Sequence, residues 1–285
     1  MTLSYEVSEV APYINWAYFY FAWQVKQKEE QQCLRKEAET MLAAFEGTYR
    51  CHALFQLFNA YSEDDDVVLE GAVSGEGSAA FGEGRIPFLR QQQVDSDHLC
   101  LADFIAPKTT AVANSHLSPL TYHLSSLALF ATSVDSGLEH DFDADPYQKM
   151  MAQLLADRLA EATAERLHEQ VRKQLWGYAP DERLSIAEMQ QERFQGIRPA
   201  VGYPSLPDAS LNFLLDRLLG FRQIGITLTE SGAMRPHASV SGLMMAHPEA
   251  RYFAVGKIGQ DQLRDYARRR GLPVETMRKF LSSNL

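Results

Sequence analysis

The stretch Asp145-Pro-Tyr-Gln-Lys-Met-Met-Ala-Gln-Leu-Leu-Ala-Asp-Arg-Leu-Ala-Glu161, continuing to Trp176-Gly177, decides how the chain is read. Met151, Leu155, Leu159, Ala162, Leu167, Val171 and Leu175 recur at three-, four- and five-residue steps, which predicts the longest helix of the protein. Asp145 can cap its first turn. Pro146 fits that turn because the missing N–H there costs nothing, and Gly177 supplies a stop.

Outward from this helix the pattern changes on both sides. Upstream, Ala53–Phe58, Val67–Leu69, Leu99–Phe104 and Leu127–Thr132 are short apolar runs separated by Asp- and Gly-rich turns, as strands are. Before them lie two helical segments, one on the spacing Trp16, Phe19, Tyr20, Trp23 and one over residues 31–46. Downstream, a Pro-rich loop (Arg198–Pro207) leads to a helix near Ser210–Phe221. Strand-like runs follow at Ile226–Thr229, Val240–Met245 and Tyr252–Val255, then two short helices over 260–270 and 274–281. Strands, a long helix and more strands, without βαβ alternation, predict an α+β fold over residues 1–285 as one domain.

Composition narrows the function. Of 285 residues, 46% are apolar and 22% charged, and 27 Lys and Arg against 37 Asp and Glu give a net charge of −10. That balance argues against nucleic acid, whose phosphates call for clustered cations. No apolar run is long enough to span a bilayer, and no secretory signal is visible. Cys33, Cys51 and Cys100 are odd in number and widely spaced, so a reduced, cytoplasmic protein without a metal centre is expected.

Four features imitate sites. Gly75–Ala80 resembles a dinucleotide turn, yet Glu76 and Glu83 would face the phosphate, so a hairpin is expected. Asp64-Asp-Asp66 lacks the ligand spacing of a calcium loop and reads as a solvated turn. His168 reads as a surface residue among Arg166, Glu169 and Arg172. Ser231, Ser239 and Ser241 near His237 lack the nucleophile-elbow context of an acyl-transfer enzyme.

Three segments stand out, although each taken alone reads equally as a structural loop: Gly196-Ile-Arg-Pro-Ala-Val-Gly-Tyr-Pro204, Leu228–Pro236 running into Ala238–Gly242, and His247–Val255 with adjacent rings at Tyr252 and Phe253. In the first, Pro199 and Pro204 stiffen the chain, Gly202 permits close backbone approach, and Arg198 offers a planar fork for a carboxylate.

Together with Tyr13–Trp16, Ala156–Glu161, Trp176–Ala179, Cys100–Pro107 and the Asp261-Gln262/Asp265–Ala267 pair, these segments resemble the activation domain of cobalamin-dependent methionine synthases over about residues 13–271. The resemblance implies a C-shaped domain on a twisted antiparallel sheet flanked by helices, binding S-adenosylmethionine in a shallow groove. It also implies reductive methylation of accidentally oxidised cob(II)alamin. The cobalamin is held by a separate module, and a flavodoxin-type reductase supplies the electron.

The resemblance places S-adenosylmethionine contacts at Asn15, Arg198, Pro199, Ala200, Gly202, Tyr252 and Phe253, with acidic positions at Glu161 and Glu192 near the groove. It places Tyr203 near the corrin and the transferred methyl. Because the sulfonium is already activated, positioning rather than acid–base chemistry is what the protein must supply.

The pattern is not followed everywhere. A well-known member has Asp where this chain has Asn15, and the family's Cys and His-Thr-Glu after the loop tyrosine become Ser205 and Ala209-Ser-Leu211 here. His237 replaces a small residue. No segment could serve homocysteine with zinc-thiolate chemistry, so the chain is expected to be either a domain excised from a longer enzyme or, the preferred reading, a subunit of a split methyltransferase acting in trans on a cobalamin-binding chain. A non-catalytic docking protein retaining the fold and a methyl-donor module for another corrinoid protein are the competing readings.

Overall fold

The structure is a computed structural model that describes residues 1–70, 84–108 and 124–285. The expected hairpin at residues 75–80 lies outside the described residues.

The chain begins with strand β1 (Thr2–Glu6), a single-turn helix α1 (Val7–Val10), α2 (Trp16–Ala22) and α3 (Lys28–Phe45). Strands β2 (Arg50–Glu63), β3 (Asp66–Leu69), β4 (Arg85–Pro87) and β5 (Ser126–Val134) follow, and then the long helix α4 (Pro146–Gln170). A short helix α5 (Ile186–Met189) precedes the Pro-rich loop, α6 (Leu211–Leu219), a two-residue hairpin of β6 (Thr227–Leu228) and β7 (Met234–Arg235), and β8 (Ser239–Met244). Helices α7 (Gln260–Arg270) and α8 (Val274–Phe280) complete it.

The main sheet runs β4-β3-β2-β5-β8 with β1 added on β2, and every pairing of its strands is antiparallel. This is the curled antiparallel sheet with flanking helices expected from the resemblance. Strand β2 is its spine. Its first residues pair β1 (Glu6 opposite Arg50), its last pair β3 (Glu63 opposite Asp66), and Cys51 to Asn59 pair β5 on the other side.

Side chains of the central strands alternate between two cores, as the two-residue strand period requires. Ala128, Phe130 and Val134 face the core made with α4, α3 and α2, whereas Leu127, Leu129 and Ala131 face the one made with α6. Every residue of β5 is buried, and its centre, Leu127–Ala131, is accordingly a continuous apolar run. A third cluster, with Leu89, Val255, Leu263 and Tyr266, holds α7 and α8.

Helix α4 lies across the sheet. Asp145 caps it by accepting from the Tyr147 and Gln148 N–H groups, as predicted. Ala152, Ala156 and Ala160, one turn apart, are buried and let the sheet come close, and Thr132 Oγ1 donates to the Ala160 carbonyl at 3.0 Å. The helix ends in a wider π turn (Val171–Leu175) in which Trp176 N–H reaches back five residues to Val171. Gly177, at φ +74°, closes it.

Five expectations are corrected. Leu99–Phe104 is not a strand: residues 101–104 form a 3₁₀ turn because the Asp103 carboxylate caps the Cys100 N–H at 2.8 Å. Tyr252–Val255 joins no strand ladder. The Ile226–Thr229 run shrinks to the two residues of β6. The turn at Asp64–Asp66 is only partly solvated, since Asp66 is buried and paired with Arg85 and Arg269, and Asp65 pairs with Arg90. His168 is fully buried.

Candidate functional site

The site is built where the Gly196–Pro204 loop crosses the sheet edge beside α4. Two backbone bridges fasten it to β8 and its extension, Ile197 opposite Met245 and Ala200 opposite Gly242. Leu243 N–H donates to the Pro199 carbonyl at 3.0 Å, and Val201 N–H to the Ser241 carbonyl at 2.9 Å. A Cβ at position 196 would collide with the Met245 backbone, so only glycine fits, and its φ of +83° agrees. Beyond Ala200 the chain turns sharply, with Gly202 N–H donating to Leu206 at 2.8 Å.

The Tyr252-Phe253 pair is tied to this loop from the other side. Tyr252 Oη accepts the Arg198 backbone N–H at 2.8 Å. Ser205 Oγ donates to the Phe253 carbonyl and accepts the Phe253 N–H, and Val255 N–H donates to Pro204 at 2.9 Å. Segments about fifty residues apart in sequence thus form one wall.

The opposite wall is α4. Arg158, Glu161, Ala162 and Glu165 stand at i, i+3, i+4 and i+7, the spacing of one helix face. Between the walls lies a groove of about 600 Å³, lined further by Tyr13, Asn15 and Tyr18 and by Met189, Gln190 and Glu192. That volume falls in the range of small-molecule sites.

Nine of the ten residues singled out from the sequence line this groove: Asn15, Glu161, Glu192, Arg198, Pro199, Ala200, Tyr203, Tyr252 and Phe253. Gly202 is not among the lining residues. Its φ of +88° makes it the hinge of the turn that presents Tyr203. Tyr13, Tyr18, Arg158, Ala162, Glu165, Met189, Gln190, Pro204 and Ser205 also line the groove without having been picked as ligand contacts. Three of them were legible once Glu161 was chosen, because Arg158, Ala162 and Glu165 share its helix face.

The electrostatics are specific. Arg198 is buried in the wall, and its Nη2 donates to Glu165. Burial is the largest influence and opposes the guanidinium charge, but Glu165, Tyr252, Glu161 and Tyr203 together outweigh it, and the pKa stands above its ordinary value. Arg198 Nε and Glu165 Oε2 are buried with no hydrogen-bond partner. The Glu192 carboxyl is pushed up by partial burial and then by the charge of Glu165. Tyr203 is half exposed, and its hydroxyl donates to Glu161. Burial and that carboxylate raise its pKa. Asn15 caps α2, its Oδ1 accepting the Ala17 N–H at 3.2 Å.

The imitations of other sites do not assemble. His237 Nδ1 faces Asp157 at 3.1 Å, Ser241 donates to Asn212, and Ser239 to the Pro236 carbonyl. Among the described residues no three His, Cys, Asp or Glu side chains gather as metal ligands, and no helix is long and apolar enough to cross a membrane. Cys33, Cys51 and Cys100 are free thiols.

A family model for the activation domain of vitamin B12-dependent methionine synthase matches residues 6–271. The chain belongs to that family. A crystal structure of the MetH reactivation domain bound to AdoHcy superposes on this activation domain with a TM-score of 0.87 and 36% sequence identity. The match covers 100% of this chain and 90% of that one.

Proposed function

We propose that this activation domain binds S-adenosylmethionine in the α4 groove and presents its methyl group to a cobalamin carried by a separate chain, returning oxidised cofactor to use. The observation that carries this reading is the composition of the groove. A single buried guanidinium stands among Glu161, Glu165 and Glu192, with the Tyr252 and Phe253 rings beside them.

S-adenosylmethionine has a carboxylate for the guanidinium, an ammonium and a sulfonium for the carboxylates, and an adenine for apolar and aromatic surface. The two buried polar atoms left without partners, on Arg198 and Glu165, fit a site completed by a charged ligand. That the structurally similar reactivation domain holds AdoHcy supports the same ligand class here.

Cobalamin, when brought by its carrier, supplies the nucleophile, and a flavodoxin-type reductase the electron. This chain's residues bind and orient. Arg198 and Glu165 fix the amino-acid end, the rings flank the nucleoside, and half-exposed Tyr203, steered by Glu161, stands where the groove opens to the incoming corrin. Holding the sulfonium at a fixed approach converts a bimolecular encounter into an oriented one, the main way such a site accelerates transfer.

Calorimetry with S-adenosylmethionine and AdoHcy tests the reading. Wild type should bind both, and Arg198→Ala should weaken them by about ten- to a hundred-fold, the loss of a charge-assisted bond worth about 1.5–3 kcal/mol. Absence of binding by folded wild type defeats the proposal. Reactivation of an oxidised cobalamin-binding chain, given reductant and S-adenosylmethionine, separates action in trans from mere docking.

A further inference from the structure

We infer that Glu165 is the positioning residue that makes Arg198 selective for ligands bearing an amino-acid tail, an inference that rests on the proposed ligand. The sequence resemblance places no role at Glu165, and its importance comes from geometry. Arg198 is 9% exposed and stands in the groove wall, where an arginine without a counter-charge would swing toward water or leave a buried charge unpaired.

The ion pair to Glu165 holds it through Nη2 alone, while Nε remains buried without a partner. Glu165 is placed for this by α4, one turn beyond Glu161, and its carboxylate lies close enough to Glu192 to push that group's titration upward. The main chain of Arg198 is held separately, since Tyr252 Oη accepts its backbone N–H. Side chain and main chain of one residue are therefore fixed by two different segments, and of the two contacts only Glu165 is a carboxylate counter-charge.

Glu165→Gln keeps the size and an acceptor oxygen but removes the counter-charge, and Glu165→Asp keeps the charge on a shorter arm. The probes are AdoHcy and 5′-methylthioadenosine, which has the same adenosine and thioether sulfur but no amino-acid tail. Glu165→Gln should weaken AdoHcy about ten-fold or more, leave 5′-methylthioadenosine within about two-fold, and have no further effect on AdoHcy in an Arg198→Ala background. Glu165→Asp should recover part of the loss.

Equal weakening of both probes, or full additivity with Arg198→Ala, would overturn the inference in favour of a structural role. Unchanged AdoHcy affinity in Glu165→Gln would overturn it outright. Failure of the wild type to bind either probe would instead sink the proposed function, so the two failures are distinguishable.

Discussion

Gly242 on β8 lies directly against the Pro199–Ala200 segment of the binding loop: a Cβ at 242 would stand 2.8 Å from Ala200 Cα and nearer still to the Pro199 carbonyl oxygen. The loop carrying Arg198 is therefore seated on the sheet by the absence of a side chain, and the same Cβ would also meet the Phe130 ring at 2.9 Å.

Gly242→Ala should consequently damage the site more than an ordinary strand substitution would. Alanine lowers unfolded-state entropy, which favours folding by about 0.4–1 kcal/mol, but the clash is with backbone and cannot relax by a rotamer change. A net loss of about 1–3 kcal/mol is expected, together with weaker AdoHcy binding because Pro199 and Ala200 must move. A melting temperature and an affinity both equal to wild type would show that the loop is not seated in this way.

Asn15→Asp should strengthen the site. Asn15 already caps α2 through Oδ1, and a carboxylate can accept the same Ala17 N–H while adding negative charge at a helix N-terminus. Its position in the groove lets it meet a cationic ligand. Replacing a neutral hydrogen bond by a charged one is worth about 1 kcal/mol, so S-adenosylmethionine should bind about five-fold tighter at low salt. Titration calorimetry at two ionic strengths checks both the gain and its screening. Weaker binding in the Asp variant would place the ligand's ammonium and sulfonium elsewhere.

Much of this was legible because local signals and tertiary roles coincided. Asp145-Pro146 and Gly177 marked the ends of the long helix by chemistry that acts within one turn. Residues 196–204 stood out as a loop by their Pro and Gly content, and the family resemblance implied that the loop holds a ligand. What was illegible depended on partners distant in sequence. His168 looked solvated because Arg166, Glu169 and Arg172 flank it. Yet α4 is covered by the sheet on one side and by α1, α2 and α3 on others, so charged neighbours do not mark an exposed face. Glu165 could be read onto the helix face of Glu161, but its pairing with Arg198, 33 residues away, could not. Tyr252–Val255 has strand composition, but its backbone is held by Ser205 and Pro204 instead of a neighbouring strand.

The π turn after α4 carries the most sensitive stability element near the groove. Arg172, fully buried, meets Glu182 through Nε and Nη2 at 2.6–3.0 Å and lies 4.4 Å from the centre of the Phe194 ring. Removing one partner strands the other's charge, so Glu182→Ala should cost about 3–5 kcal/mol in urea unfolding. Replacing both residues by apolar ones of similar volume should cost far less, because the desolvation penalty disappears with the pair. A Glu182→Ala loss below about 1 kcal/mol would mean that Arg172 finds water or another acceptor.

His168 gives the protein an acid-sensitive core. The ring is fully buried, with Nε2 3.2 Å from Tyr178 Oη and an edge-to-face contact to Phe194 at 4.9 Å. Burial holds its pKa well below the ordinary histidine value, and the nearby Arg172 and Arg198 charges press it the same way. The unfolded chain takes up a proton near pH 6.5 that the folded chain refuses, so the folded state binds fewer protons below that point. The contribution of neutral His168 is therefore complete above about pH 6.5 and is lost progressively as the pH falls. Urea midpoints measured from pH 7.5 to 5.0 should decline for wild type and decline less steeply for His168→Gln, even if that variant starts from a lower stability. Parallel pH profiles for the two proteins would show that the imidazole is protonated in the folded state or that its site opens to water.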